Sequence, residues 1–241
     1  MYGIIGYPLL TTFSPGYFQE KFRQLDIDET YHKFPLKKID DLKELLKLHP
    51  SLKGLNVTIP YKQTVIPFLN ALDNTAKQIG AVNTIQFKEG KLIGHNTDTI
   101  GFYNSLKPLL DKHHDKALIL GTGGASKAVA YALQKLEIQF QFVSREKKEG
   151  QLIYADLDND VIKSHRLIIN TTPLGMKPFE GMSPEMPYAA IDSEHLLYDL
   201  IYSPAETPFL QQGKIRGATI KNGYEMLIAQ AEAAWKIWNS I

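Results

Sequence analysis

Short apolar runs, each closed by glycine, proline or a charged turn, recur along the chain. The run 54–62 (Gly-Leu-Asn-Val-Thr-Ile-Pro-Tyr-Lys) alternates apolar Leu55, Val57 and Ile59 with polar Asn56 and Thr58. A period of two is that of a half-buried strand, and Pro60 stops it. Residues 2–6, 30–36 and 117–120 predict further strands, as do 140–143, 166–170, 196–201 and 218–220. Lys88-Glu89-Gly90-Lys91 between 81–87 and 92–95 predicts a hairpin. Helical spacing appears at Phe18, Phe22 and Leu25, over 39–48, and through Val65, Ile66 and Leu69. It returns over 100–110, 128–136 and 207–212, and from Tyr224 onward, where Leu227, Ala231, Ala234, Trp238 and Ile241 form one stripe. Strands and helices of this kind predict an α/β protein.

One strand–turn–helix unit carries chemistry. Residues 117–120 lead into Gly121-Thr122-Gly123-Gly124-Ala125-Ser126, then a helix, then the strand 140–143. This order fits a dinucleotide site: the glycines let backbone approach a pyrophosphate, whose charge sits on the helix N-terminus. Ser126 stands where the general fingerprint has its third glycine. Past the second strand, where an acidic residue would bind a ribose 2′-hydroxyl, the chain has Ser144-Arg145-Glu146-Lys147-Lys148. Arg145 and the lysines suit a 2′-phosphate, which favours NADP; the alternative is a solvated turn. Thr171 and Met176 lie just past the strand 166–170, where ligands bind in such sheets. Met176 is either a nicotinamide contact or core filling.

Other polar positions admit two readings. Thr11, Thr12 and Ser14 precede or open a helix with Pro15 at its first position; they cap it, or they hold an anion. Asp98 caps the next long helix or has a chemical role. Lys62 is a surface charge or a proton donor at a cleft rim. His113 and His114 read as surface residues of a solvated turn.

Composition narrows the classes. The 241 residues carry a net charge of +1, which favours neither nucleic acid nor an anionic membrane. There are no cysteines, and the seven histidines form no His-x-x-x-His pair, so no metal site is expected. Residues 1–8 lack the pattern of a signal peptide, and no run approaches the roughly 20 apolar residues of a membrane span. A cytoplasmic chain, monomer or homodimer, acting on a small molecule is the expectation.

Taken jointly and in order, these motifs resemble the shikimate dehydrogenase family. The resemblance rests on 6–15, 54–62, 80–84, Asn96-Thr97-Asp98, 121–126, 170–176, 199–204 and 223–230. It implies two α/β domains: a mixed-sheet substrate domain of residues 1–99 completed by the helix 224–241, and a Rossmann-like NADP domain of residues 100–223. It implies reduction of 3-dehydroshikimate to shikimate by NADPH, in a cleft between them. Lys62 and Asp98 would be the catalytic pair. Thr12 and Ser14 would hold the substrate carboxylate with Tyr202 nearby, and Thr58, Asn83 and Gln230 the ring hydroxyls. Gly121, Gly123, Gly124, Ala125, Ser126, Ser144, Arg145, Thr171, Met176 and Gly223 would face the cofactor.

The chain departs from the family where Thr11-Thr12 replaces His-Ser, where Ser144-Arg145-Glu146 replaces Asn-Arg-Thr, and in a shortened 150–165 region. Alternatives are an NAD-linked quinate/shikimate dehydrogenase, which Glu146 would suit, a non-catalytic nucleotide-sensing module on the same fold, and a folate-pathway dehydrogenase of similar architecture.

Overall fold

The structure, a computed structural model, describes residues 1–9 and 12–240. Leu10, Thr11 and Ile241 lie outside the described residues. The chain divides into two compact units, Met1–Asp98 with Gln230–Ile241, and Thr99–Ala229.

The first unit runs β1 (Tyr2–Gly6), α1 (Ser14–Gln24), β2 (Tyr31–Pro35), α2 (Leu42–Leu48), β3 (Gly54–Val57), β4 (Ala71–Leu72), α3 (Asn74–Ile79), β5 (Thr84–Lys88) and β6 (Lys91–His95). Its sheet has the order β2-β1-β3-β5-β6-β4, parallel from β2 to β3 and antiparallel from β3 through β5 to β6. A central strand is covered on both faces, so β3 is buried at all four residues rather than on one face as its alternation predicted. Asn56 is tolerated there because its side chain is bonded: the Tyr31 hydroxyl donates to Asn56 Oδ1 at 2.7 Å. Gly54 has no side chain because the Trp238 indole occupies that space; a Cβ would lie 2.4 Å from its Nε1. That indole N–H donates to the Ile85 carbonyl at 3.0 Å.

Three local expectations change. α1 begins a residue early: Phe13 is already in the right-handed helical region and makes no side-chain cap. Ser14 is therefore a buried first-turn residue whose hydroxyl bonds Tyr31. The helix expected through Val65, Ile66 and Leu69 is a series of turns with a short 3₁₀ segment at Ile66–Phe68. Pro67 has no N–H to donate, and a residue before proline is disfavoured in the α region. β4 and α3, in contrast, have no counterpart in the sequence expectation. α3 is bounded by Asp73, whose side chain accepts from the Ala76 N–H, and by Gly80 in the left-handed region.

Next along the chain come α4 (Asp98–Leu106), β7 (Lys116–Leu120), α5 (Gly124–Lys135), β8 (Gln139–Ser144), β9 (Leu152–Ile153), α6 (Asn159–Ser164), β10 (Leu167–Asn170), β11 (Leu196–Asp199), α7 (Pro208–Ile215), β12 (Thr219–Lys221) and α8 (Tyr224–Trp238). The second unit's sheet is all parallel, in the order β12-β11-β10-β7-β8-β9. The chain winds outward from β7 in one direction and from β10 in the other, which is the doubly wound order with its switch point between them. Such strands are buried on both faces and read as near-continuous apolar runs; Leu118, Ile119 and Leu120 are fully buried, as are Ile168 and Ile169.

The start of α8 packs Met226 into this unit's core, while Ala231, Ala234 and Trp238 belong to the first unit's aromatic cluster with Tyr2, Phe18, Phe22 and Tyr31. The division thus falls at Gln230, six residues beyond the expected boundary at Tyr224. His114 is buried, contrary to the surface reading; burial holds its imidazole below the usual range for histidine.

Candidate active site

In the first unit, the turn after β3 carries Lys62 and the start of α4 carries Asp98. Their side chains meet, Lys62 Nζ donating to Asp98 Oδ2 at 2.5 Å, with 16% and 8% of each exposed. The turn is held in place by backbone: the Val82 N–H donates to the Lys62 carbonyl at 2.7 Å, and the Val57 N–H to that of Asn83 at 2.8 Å. Asp98 is thus more than a helix start; its second oxygen accepts from Asn83 Nδ2 at 2.9 Å.

Asn83 is the hub. Its Oδ1 accepts from the Thr97 N–H at 2.7 Å and from Thr84 Oγ1 at 3.1 Å. Its Nδ2 is shared among Asp98 Oδ1, Thr97 Oγ1 at 2.9 Å and Gln230 Oε1 at 3.3 Å. These partners fix which end of the amide faces the carboxylate. Asn56 Nδ2 reaches both the Asn83 carbonyl and Thr84 Oγ1 at 3.3 Å. Through Tyr31 the chain of bonds extends to Ser14. Burial drives the Tyr31 phenol well above the ordinary tyrosine range, so it is a neutral donor. Lys62, Asp98, Asn83, Gln230 and Ser14 are therefore one network.

Thr97, Thr84, Asn56 and Tyr31 join that network without having been singled out as site residues. Asn56, Thr84 and Thr97 lie inside the motif segments 54–62, 80–84 and Asn96-Thr97-Asp98, whereas Tyr31 lies in none of them.

Thr12 and Thr58 stand outside the network. The Thr12 hydroxyl is buried with no hydrogen-bond partner among the described residues. A buried hydroxyl in that state is costly unless something else bonds it. Thr58 follows β3; its N–H donates to the Ile5 carbonyl and its methyl packs where a Gly6 side chain would be.

In the second unit, Gly121 follows β7 with φ +107°, a conformation suited to glycine, and a Cβ there would lie 2.7 Å from Thr171 Oγ1. That hydroxyl donates to the Leu120 carbonyl at 2.6 Å. Gly123 caps α5 in extended backbone with no side-chain bond to the first turn, and a Cβ placed on it meets nothing within 4 Å. The first turn holds no acidic residue. Open N–H groups, open space and a positive helix end fit a pyrophosphate. Gly124 and Ala125 begin the helix, and the buried Ser126 hydroxyl donates back to the Gly123 carbonyl at 2.7 Å. Ser126 thereby fills the third-glycine position without entering the cradle.

At the end of β8, Ser144 is buried and its hydroxyl donates to the Glu146 carbonyl, closing the turn. Arg145, Lys147 and Lys148 are exposed with no carboxylate partner among the described residues. A groove of about 430 Å³ runs beside Lys147, Lys148 and Gln151. Met176 is half-buried in the turn after β10. Tyr202 is half-buried, and burial raises its phenol. Gly223 is buried where a Cβ would strike the Leu200 carbonyl at 2.1 Å. Among the described residues no acidic or histidine cluster could hold a metal ion, and no helix is long and apolar enough to cross a membrane.

A profile of the shikimate dehydrogenase substrate binding domain matches residues 4–85. The NADP(+) shikimate dehydrogenase of Methanosphaera stadtmanae is 38% identical over 255 residues, covering 98% of this chain and 90% of that protein. The chain belongs to the shikimate dehydrogenase family. Among solved members, a shikimate dehydrogenase in complex with NADP+ is 32% identical with a TM-score of 0.87, over 100% of this chain and 90% of the other. The Thermus thermophilus enzyme, in complex with NADP(H) and shikimate, is 27% identical with a TM-score of 0.88, over 100% and 93%. The family's two-domain α/β architecture is that of the two sheets described above.

Proposed function

We propose that this chain catalyses the reversible NADPH-dependent reduction of 3-dehydroshikimate to shikimate, a step toward chorismate and the aromatic amino acids. The observation that carries the reading is the Lys62–Asp98 contact held by Asn83, in a chain that matches NADP(+) shikimate dehydrogenases over nearly its whole length.

Carbonyl reduction needs a hydride at carbon and a proton at oxygen. NADPH, when bound, supplies the hydride. The backbone of Gly121, Gly123, Gly124, Ala125 and Ser126 would hold its pyrophosphate, the Ser126 side chain staying bonded to Gly123. Arg145 would hold its 2′-phosphate with Ser144 shaping the turn, and Thr171, Met176 and Gly223 its nicotinamide half. The Lys62 ammonium gives its proton to the carbonyl oxygen, or stabilises the charge that develops there, and recovers a proton from solvent. Asp98 orients that ammonium and accepts from a substrate hydroxyl. Asn83, Gln230 and Thr58 bond the remaining hydroxyls. Thr12 donates to the carboxylate, which would give its hydroxyl a partner, and Ser14 joins it by turning its hydroxyl proton away from Tyr31. Tyr202 is assigned to the same carboxylate on the family resemblance alone.

Initial rates followed by reduced-nicotinamide absorbance, with shikimate or quinate against NADP+ or NAD+, test the reading. Shikimate with NADP+ should give the highest kcat/KM of the four. Preference for quinate with NAD+ would replace it with the NAD-linked alternative, and no shikimate-dependent reduction of either nicotinamide would sink it.

A further inference from the structure

Asp199 ends β11 with its side chain fully buried, and no part of the chemistry above uses it. Its Oδ1 accepts from Asn170 Nδ2 at 3.1 Å and from the Ile201 N–H at 3.0 Å; its Oδ2 accepts from Thr207 Oγ1 at 2.6 Å. All three partners donate, which is the environment of a carboxylate. Asn170 in turn holds the loop after β10: its Oδ1 accepts from the Thr172 N–H at 3.0 Å and the Thr172 hydroxyl at 2.7 Å, and its Nδ2 reaches the Leu174 carbonyl at 3.3 Å. The Leu174 N–H donates to Thr172 Oγ1 at 3.2 Å. Thr171 of this loop lies against Gly121 of the phosphate turn. One buried carboxylate therefore ties the loops that follow β10 and β11, at the strand ends beside the switch point.

We propose that Asp199, as a carboxylate, is a positioning residue for the dinucleotide: it sets Asn170, and through Asn170 the turn Thr171–Met176 against the glycine turn. The proposal rests on the dinucleotide reading given above. Burial pushes the Asp199 carboxyl up to about 6 even with its three donors. The Tyr188 phenol, whose charge would interact with Asp199, is itself pushed up to about 12 and stays neutral across this range. Protonation would fall on Oδ2, because the Thr207 hydroxyl can turn to accept while the two N–H donors at Oδ1 cannot. An asparagine at 199 must adopt that same arrangement, with its NH₂ toward Thr207. Asp199→Asn is thus a mimic of the protonated acid.

The test is the ratio of NADP+ dissociation constants, Asp199→Asn over wild type, by titration calorimetry from pH 5 to pH 8. The ligand's own phosphate titration cancels in this ratio. It should be about tenfold at pH 8, the loss of one charge-assisted bond, and should fall within about twofold at pH 5. The KM for shikimate should stay within about twofold at every pH. A ratio that is flat with pH, or below one at pH 8, overturns the proposal.

Hydrogen exchange on the ligand-free chain gives an independent reading. The Thr172 and Leu174 amides should exchange at least about fivefold faster in Asp199→Asn, and unchanged rates overturn the positioning role. This arm holds even if no shikimate-dependent reduction is found, so failure of the functional reading and failure of the proposal are separable. Should Asp199→Asn not fold, Thr207→Val removes the Oδ2 donor. It should weaken NADP+ several-fold at pH 8, with Thr207→Ser restoring wild-type affinity. Equal affinity in Val, Ser and wild type would overturn the assignment.

Discussion

Lys62 and Asp98 touch at 2.5 Å with little of either side chain exposed, so removing one strands the other. In Lys62→Ala the Asp98 carboxylate keeps the Asn83 donor at 2.9 Å but loses its counter-charge. Breaking a buried pair from one side costs about 3–5 kcal/mol of stability; the residual exposure here favours the low end. The effect on rate is separate. General acid catalysis of this kind is worth about 10²–10⁴ in turnover, or roughly 3–5 kcal/mol at 1.36 kcal/mol per tenfold.

If lysine and aspartate act as one proton-delivering unit, Asp98→Asn should cost a similar factor, and the double variant should lose about as much as either single one rather than the product. The assay is kcat at saturating shikimate and NADP+ for the three variants, with thermal midpoints to confirm folding. The KM for shikimate should move less than kcat in Lys62→Ala. Near wild-type turnover in a folded Lys62→Ala refutes the role of the lysine. Losses that multiply in the double variant refute the unit.

Thr12→Val removes a buried hydroxyl that no described residue bonds. It should leave the thermal midpoint unchanged or higher while raising the KM for shikimate by roughly 5- to 100-fold, about 1–3 kcal/mol; an unchanged KM would show that Thr12 holds no carboxylate. Arg145→Ala should weaken NADP+ about tenfold and NAD+ less than twofold, since the guanidinium is exposed and meets no carboxylate among the described residues; equal losses would remove the 2′-phosphate role. For Asp73, burial opposes ionisation, but bonds from His95 and the Ala76 N–H win and hold its carboxyl below the usual range. Its contribution is therefore present above about pH 4 and is lost as the pH falls through the lowered value. Asp73→Ala should cost about 1 kcal/mol at neutral pH and progressively less toward pH 2. Thermal midpoints across that range check it, and a constant gap contradicts it.

The second unit was the more legible half. Its central strands β7, β10 and β11 are buried on both faces and stand out as apolar runs, and the glycine turn between β7 and α5 has a conformation only a few residues allow. The first unit concealed more. β4 is two residues long and has no period to detect, although Asp73 and Gly80 bracket α3 as a cap and a left-handed stop. Ser14-Pro15 looked like a helix start, yet the backbone had already turned at Phe13. Lys62 and Asp98 carry no local sign of each other across 36 positions; family order alone suggested the pair. The share of the network carried by Asn56, Thr84 and Tyr31 depends on strand register, which sets residues far apart in the chain side by side.

The first unit needs α8 for its core and for Gln230. During synthesis, residues 1–98 leave the ribosome first, but Ala231, Ala234 and Trp238, which share a cluster with Tyr2, Phe18 and Tyr31, follow only after all of the second unit has been made. At about 5–20 residues per second the delay is on the order of ten seconds. The second unit's sheet, β7 to β12, is entirely in hand before those residues arrive. The unit that begins first is thus the one to finish last. A nascent chain halted anywhere before Gln230 lacks part of the polar network around Asn83, so no shorter intermediate carries the whole constellation.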